Sequence, residues 1–420
     1  MMESKLFVLI VIVLGIVAVA QLVRLYELSS KLRKEGEHET NTRDNNLNAK
    51  MMLVFMAFLF IGFIYLMRNY GWTGRGNAAS VHGRDLDWLL NLNFALITVV
   101  FFLMNALLFG FSYKYIRKEG VKAYYFSHSN KLELIWTIIP ASVLTIIIIM
   151  GLKTWNTIVS DSDKESINIE LFSKQFDWTV RYSGADNTLG KFDYKLTTAN
   201  NELALMTSST IDSAIMQMES GVTGINALEK ELNNRNIMLV PEEREKKVID
   251  LERKTRLIRI LYQMRAHHNS GIDNSAWDDI IQKDTLFLCK NVEYEFNFRS
   301  KDVIHSAYFP HFRTQMNTVP GMTTRFKFTP DVTTKQMRVD MNDPKFSYIL
   351  LCNKICGTAH YKMKLIVVVL EKKEYDMWMK NKELNNTFRQ SYNPEPAVVE
   401  APVSVPVDSL KIVPAVVKQS

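Results

Sequence analysis

Two thiols, an imidazole and a thioether fall within twelve residues of one segment, Cys352-Asn353-Lys354-Ile355-Cys356-Gly357-Thr358-Ala359-His360-Tyr361-Lys362-Met363. Thiolate and thioether are soft donors that favour copper, and a His/Cys set with a weak Met is the blue-copper type of arrangement. His305, on the loop that follows the run Val292–Phe298, would add a second imidazole. Three other readings stand beside copper. The cysteines could pair as a disulfide, join the histidines around tetrahedral zinc, or sit as two buried thiols. A single-cysteine copper site leaves one thiolate unused, whereas a two-copper site bridged by both thiolates uses every donor.

A second residue with chemical promise is Glu133, in Leu132-Glu133-Leu134-Ile135-Trp136 at the start of a long apolar run. It reads either as an interfacial charge beside an aromatic anchor or as a proton-entry group, because ionisable residues at membrane depth are often functional. Pro140, a turn further in, is tolerated in such a helix.

These residues need a membrane part and a soluble part to position them. Of the 420 residues 47% are hydrophobic and 23% charged, too apolar for disorder and too charged for a pure membrane bundle. Three cysteines exclude a disulfide framework. The net charge of +7 gathers in loops between apolar runs, which orientation rules explain without nucleic acid. Four stretches are long enough to span a bilayer: Leu6–Val23, Met51–Met67, Trp88–Tyr113 and Leu134–Leu152. The loops after the first and third carry six and five basic residues, against three in the loop between the second and third. That bias places both termini outside and favours keeping the first stretch as a span over cleaving it after Ala20 as a signal peptide. Glu133 then lies at the cytoplasmic face.

Beyond Trp155 short alternating runs replace the long apolar ones. Ile167–Phe172, Phe176–Tyr182, Phe192–Leu196, Val292–Phe298, Thr323–Phe328, Gln336–Val339, Tyr348–Cys352 and Lys364–Leu370 read as strands of an all-β sandwich or Greek-key barrel. A helical insertion interrupts them at about 197–283. Pro241-Glu242-Glu243 opens one helix, with Val248, Leu251, Ile258, Leu261 and Met264 on its apolar face, and Ile225–Leu232 forms a shorter one. His267-His268 reads as an exposed helix end. The predicted division is therefore 1–87 for an extra two-span region, 88–155 for a two-helix hairpin, 156–387 for the β domain and 388–420 for a disordered Pro/Val/Ala-rich tail.

Taken together, Cys352-x-x-x-Cys356-Gly357-x-x-His360-x-x-Met363, with Lys301-Asp302-Val303-Ile304-His305-Ser306 before it, resembles the dinuclear CuA motif of cytochrome c oxidase subunit II. The resemblance extends over the third and fourth spans, with Glu133-Leu134-Ile135-Trp136-Thr137-Ile138-Ile139-Pro140, and over the β domain to about Trp378. It takes in Gln175-Phe176-Asp177-Trp178 and Val319-Pro320-Gly321. It implies a cupredoxin fold in which Cys352 and Cys356 bridge two coppers, His305 and His360 give one imidazole each, and Met363 and the Lys354 carbonyl are weak ligands. Electrons would enter near the aromatic stretch, with Trp178 as a candidate entry point, and leave past His360 toward haem a of the catalytic subunit. Glu133 falls on the glutamate at the entrance of a proton channel. The resemblance thus implies a bacterial inner-membrane oxidase subunit, working beside subunit I and the other oxidase subunits, with its copper domain on the periplasmic side.

Several positions depart from the pattern. Lys354 replaces the usual glutamate between the cysteines, and an ammonium cannot bind Mg²⁺, which counts against magnesium ligation from this chain. Asn317 and Arg181 stand where acids commonly help attract a basic soluble cytochrome c, and Phe176 replaces a tryptophan. The expected donor is therefore a different cytochrome c, tethered to a partner membrane complex. The chain has no Cys-x-x-Cys-His, so no c-type haem of its own is expected. The competing function is a membrane-tethered copper-binding or copper-delivery protein outside any oxidase. A β domain with a relict metal loop is a weaker third, because every side-chain ligand is present.

Overall fold

The computed structural model describes residues 2–32, 42–71, 76–118, 120–162, 165–234 and 236–392, with the backbone alone for 2–12 and 30–32. The chain divides into two compact units, residues 1–76 with 88–148 and residues 77–87 with 149–420. The second unit thus takes in residues 77–87 together with the β domain.

Four long helices come first: α1 (Met2–Leu32), α2 (Thr42–Tyr70), α3 (Val81–Lys114) and α4 (Asn130–Val159). Among the described residues α2, α3 and α4 are long and apolar enough to cross a membrane. The first expected span falls in α1, and its side chains to residue 12 lie outside the described residues. Helices α2 and α3 meet through interleaved aromatic rings, with Phe55 on Phe109 and both Phe60 and Phe63 on Phe101 and Phe102. Rings suit this role because packing, with no hydrophobic gain in lipid, must hold the helices together.

The second unit is a sandwich of two five-stranded sheets. Its strands are β1 (Ile167–Lys174), β2 (Asp177–Tyr182), β3 (Ile280–Lys283), β4 (Thr285–Cys289), β5 (Tyr294–Ser300), β6 (His305–Phe309), β7 (Thr314–Thr318), β8 (Thr324–Phe328), β9 (Tyr348–Cys352) and β10 (Lys364–Leu370). One sheet runs β3-β2-β1-β5-β8 and the other β4-β10-β9-β6-β7. Pairing is antiparallel except for β1 with β5 and β4 with β10. Alternation along β5 sends Tyr294, Phe296 and Phe298 into a core shared with Trp178, Phe309, Phe312, Phe326 and Tyr348, all essentially inaccessible to solvent. Each of these bulky rings buries a large apolar surface between the sheets.

The insertion holds α5 (Ser208–Ser220), α6 (Ile225–Asn233), α7 (Pro241–His267) and α8 (Asn274–Trp277). Pro241 opens α7 as expected, and Ile258 and Leu261 face Ile211, Ala214 and Ile215 of α5 in a separate small core. Beyond the insertion come α9 (Thr334–Asp340), α10 (Lys372–Asn385) and α11 (Phe388–Ser391).

Three local expectations are corrected. Gln336–Val339 is helical in α9, because Thr333 accepts from the Gln336 N–H as an N-cap and buries Met337 on the sandwich. Phe192–Leu196 is no strand: Phe192 makes an isolated bridge to Leu205, and 194–196 form a tight turn capped by Asp193. The chain also stays folded past 387. Phe388 is buried and stacks on Trp277, while its N–H donates to Asp279 O at 2.7 Å. The remaining expected tail, 393–420, lies outside the described residues.

Candidate metal centre

The sandwich brings its sulfur and imidazole donors to one end. Cys352 closes β9, where its N–H donates to Met363 O at 3.0 Å, and the next residue, Asn353, donates to Ser306 O at 3.0 Å. These bonds fold the 353–363 loop back beside the first residue of β6, His305. A short turn at His360–Lys362 then aims Met363 inward. Gly357 holds φ at +140°, and a Cβ there would meet Gln175 Nε2 and the Phe176 ring at 2.9 Å, so the loop needs glycine at that position.

The donors fall into two lobes around the sulfur pair. Cys352 Sγ lies 3.8 Å from His305 Nδ1 and 3.2 Å from the Lys354 carbonyl oxygen. Cys356 Sγ lies 3.5 Å from His360 Nδ1 and 3.9 Å from Met363 Sδ. The two sulfurs are 3.9 Å apart and both cysteines are free, which removes the disulfide reading. All the sequence-predicted side-chain ligands therefore converge, and the Lys354 carbonyl joins them while its ammonium points to solvent. Six donors exceed what one tetrahedral zinc takes. Two lobes, each with one imidazole and one weak donor and joined by two sulfurs, fit a pair of copper ions.

Outer contacts orient the ligands. His305 is fully buried, and its Nε2 stands 2.9 Å from Asp302 Oδ1, which leaves Nδ1 turned to the sulfurs. Asp302 also accepts from the N–H groups of Gln175 and Val303, both at 2.7 Å, and Gln175 Nε2 donates to Cys356 O. Burial alone would raise the Asp302 carboxyl, but His305 and the two N–H groups hold it below the ordinary value. Burial, reinforced by the neighbouring Cys352 thiol, pushes Cys356 up to about 11. At neutral pH the metal-free Cys356 thiol thus keeps a proton that a metal must displace.

Other singled-out residues stand apart. Trp178 is fully buried with its ring centroid 6.3 Å from that of His305, so it forms no part of the outer surface. Arg181 is also buried, held by Glu170, by Asp279 Oδ2 at 2.6 Å and by Gly190 O at 3.0 Å. It cannot act on an approaching partner as the sequence led us to expect. Of the expected docking departures, Asn317 is exposed. The His268 side chain is buried rather than exposed, its Nε2 2.6 Å from Asp273 Oδ1. In the helical unit Glu133 sits in the first turn of α4, where Oε1 accepts from the Ser129 N–H at 3.2 Å and lies 4.0 Å from His128 Nδ1. Asp302 and Gln175 carry the outer contacts, and sequence reasoning gave them no role. Asp302, three residues before His305, was the one available signal.

Comparison with known proteins follows the same division. Residues 68–154 match the cytochrome c oxidase subunit II transmembrane domain. The alternative cytochrome c oxidase subunit 2 of Bradyrhizobium diazoefficiens is 23% identical over 73% of this chain and 86% of its own length. Cytochrome c oxidase subunit 2 of Cyanidium caldarium is 23% identical over 71% of this chain and 88% of its own. Among solved structures, the periplasmic domain of subunit II of a Bradyrhizobium japonicum cytochrome oxidase aligns with 53% of this chain and 96% of that one, at 16% identity and a TM-score of 0.26. These similarities support a subunit II-like protein, and the relatives do not favour a copper-binding protein outside an oxidase.

Proposed function

We propose that this subunit II-like chain takes electrons from a cytochrome c and hands them to haem a of an oxidase catalytic subunit through a dinuclear copper centre. The observation that carries the reading is the two-lobed donor set around Cys352 and Cys356. When bound, a thiolate-bridged copper pair supplies one-electron transfer with little change in its surroundings.

The chain's own residues do the rest. Cys352 and Cys356 would hold the copper pair through their sulfurs, His305 and His360 through Nδ1, and Met363 Sδ and Lys354 O would serve as the weak ligands of the two lobes. Asp302 fixes the His305 ring, because an imidazole that donates one N–H offers its other nitrogen as a ligand. Burial of both cysteines keeps water from the sulfurs. Trp178, packed against His305, lies on the inner part of an entry path that begins at half-buried Phe176. His360 marks the exit. Lys354 directs a cation outward and gives no ligand to magnesium.

In the helical unit, Glu133 serves as the entrance of a proton path into the catalytic subunit. The membrane region has four spans, α1 included, with the sandwich outside a bacterial inner membrane. The donor is a cytochrome c held on a partner membrane complex, since exposed Asn317 offers no charge to steer a basic soluble one. Rapid mixing of the purified oxidase with reduced cytochrome c tests this. Copper-centre reduction should precede haem a reduction, and His360→Asn should slow the second phase at least tenfold. Haem a reduction that bypasses the copper centre would refute it, and a steep fall in rate with salt for a basic soluble cytochrome would refute the choice of donor.

A further inference from the structure

Glu202, at the start of the helical insertion, ties together the two strand ends beside the metal centre. Glu202 lies on a loop built around buried Asn201, whose side-chain amide donates to Leu205 O at 2.8 Å and whose Oδ1 accepts from the Leu205 N–H at 2.9 Å. That loop is pinned to the sheet where Arg299 donates to Leu203 O at 3.0 Å and where Leu203 and Leu205 pack with Phe172. Glu202 is thus presented from a rigid support. Its carboxylate bridges two lysines on different strand ends: Lys174 at 2.7 and 2.9 Å, and Lys301 at 3.1 Å. Burial alone would raise the carboxyl, yet the two ammonium groups hold it below its ordinary value.

The two lysines stand in informative places. Lys174 ends β1 immediately before Gln175, and Lys301 follows β5 immediately before Asp302. Gln175 and Asp302 are the residues that hold the Cys356 carbonyl and His305, and they also bond to each other through the Gln175 N–H. One bridging carboxylate therefore clamps both loops that carry the outer contacts of the two lobes.

We infer that Glu202 is a positioning residue through which the insertion sets the geometry and potential of the copper centre. The inference rests on the copper reading above. Neutralising Glu202 frees two lysines, loosens Asp302 against His305, and weakens the imidazole as a donor to the oxidised centre. Outer contacts of metal ligands are worth about 10–100-fold in affinity, and Glu202 acts one step further out, so the expected effects are smaller.

The test compares the full-length wild-type chain with Glu202→Gln in detergent, with and without copper. Without copper, amide exchange at Gln175 and Val303, both donors to Asp302, should quicken about fivefold in the variant. With copper, loss to a chelator should be about threefold to tenfold faster. The midpoint potential should rise by about 30 mV, a threefold change in the one-electron equilibrium at 59 mV per tenfold. Lys301→Gln, which leaves the Lys174–Glu202 pair, should shift all three in the same direction by less, and it serves if Glu202→Gln does not fold. Asp212→Asn, which breaks the exposed Arg265–Asp212 pair inside the insertion, should shift none of them. Unchanged exchange, retention and potential in a folded Glu202→Gln chain would overturn the inference while leaving the copper reading intact. An equal shift in Asp212→Asn would overturn it as well, by showing mere loosening of the insertion. Failure of the wild-type chain to form the centre would refute the copper reading instead, and the metal-free exchange would still report on the clamp.

Discussion

Replacing Arg181 with methionine should destabilise the sandwich more than any exposed charge deletion, without altering how a donor docks. Arg181 leaves only 1% of its side chain exposed, and its partners Glu170 and Asp279 leave 2% and 0%. Burial opposes all three charges, yet pairing holds Glu170 below and Arg181 above their ordinary values. Methionine keeps the apolar stem and removes the guanidinium. Glu170 would then have Arg299 alone, and Asp279 only the Gly190 N–H at 3.0 Å. Breaking one side of a buried pair costs about 3–5 kcal/mol, against total stabilities of about 5–15 kcal/mol. Urea unfolding of the full-length chain in detergent, followed by near-ultraviolet circular dichroism from the aromatic core, would read the loss. The salt dependence of electron entry should stay unchanged, because the group never meets solvent. A cost below about 1 kcal/mol, the range of exposed pairs, would refute the reasoning, and so would a changed salt dependence.

Other expectations follow from the same geometry. Burial pushes Asp279 up to about 7 although Arg181 and the Gly190 N–H favour its charged form, and its buried Oδ1 has no partner among the described residues. A carboxyl raised in the folded state binds its proton more tightly there than in the unfolded chain. It thus favours folding at low pH, and that contribution is lost as pH climbs from about 4 to about 7. In the Asp279→Asn chain this component of the pH–stability profile should vanish, and an identical profile would contradict the assignment. Copper loading should release protons at neutral pH and proceed more readily at pH 8 than at pH 6, because the Cys356 thiol is held protonated. A pH indicator in weak buffer would detect this, and loading without proton release would count against it. Finally, Phe388→Ala should cost about 3–5 kcal/mol by removing a buried ring from Trp277 and Leu205, measured by the same unfolding assay. A loss under about 1 kcal/mol would show that the 388–391 segment is not part of the fold.

The site was more legible than the scaffold around it. The side chains of Cys352, Cys356, His360, Met363 and His305 could be picked out by residue type and spacing, whereas the Lys354 carbonyl was reached only through the family resemblance. β9 and β10 were read to the residue because each is a short, nearly continuous apolar run with β-branched or aromatic residues. In β5 the alternation located the core face. By contrast β7, Thr-Gln-Met-Asn-Thr, buries two threonines and shows no apolar alternation to find. Helix α5 was missed because Ser and Thr fill its first turn, although the reciprocal Thr207–Thr210 cap was a readable start signal. Gln336–Val339 read as a strand because Met337 and Val339 alternate, while one N-cap decided for a helix. Arg181 looked like a surface charge because its partners lie 11 and 98 residues away, a distance no local pattern spans.

The central claim is the bridged copper pair, and one measurement reaches it directly. The full-length chain, purified in detergent and loaded with copper, would be analysed for metal content and by electron paramagnetic resonance. The account predicts two coppers per chain sharing one unpaired electron, with a seven-line hyperfine pattern that disappears in Cys356→Ser. One copper with a four-line pattern, or zinc alone, would contradict it.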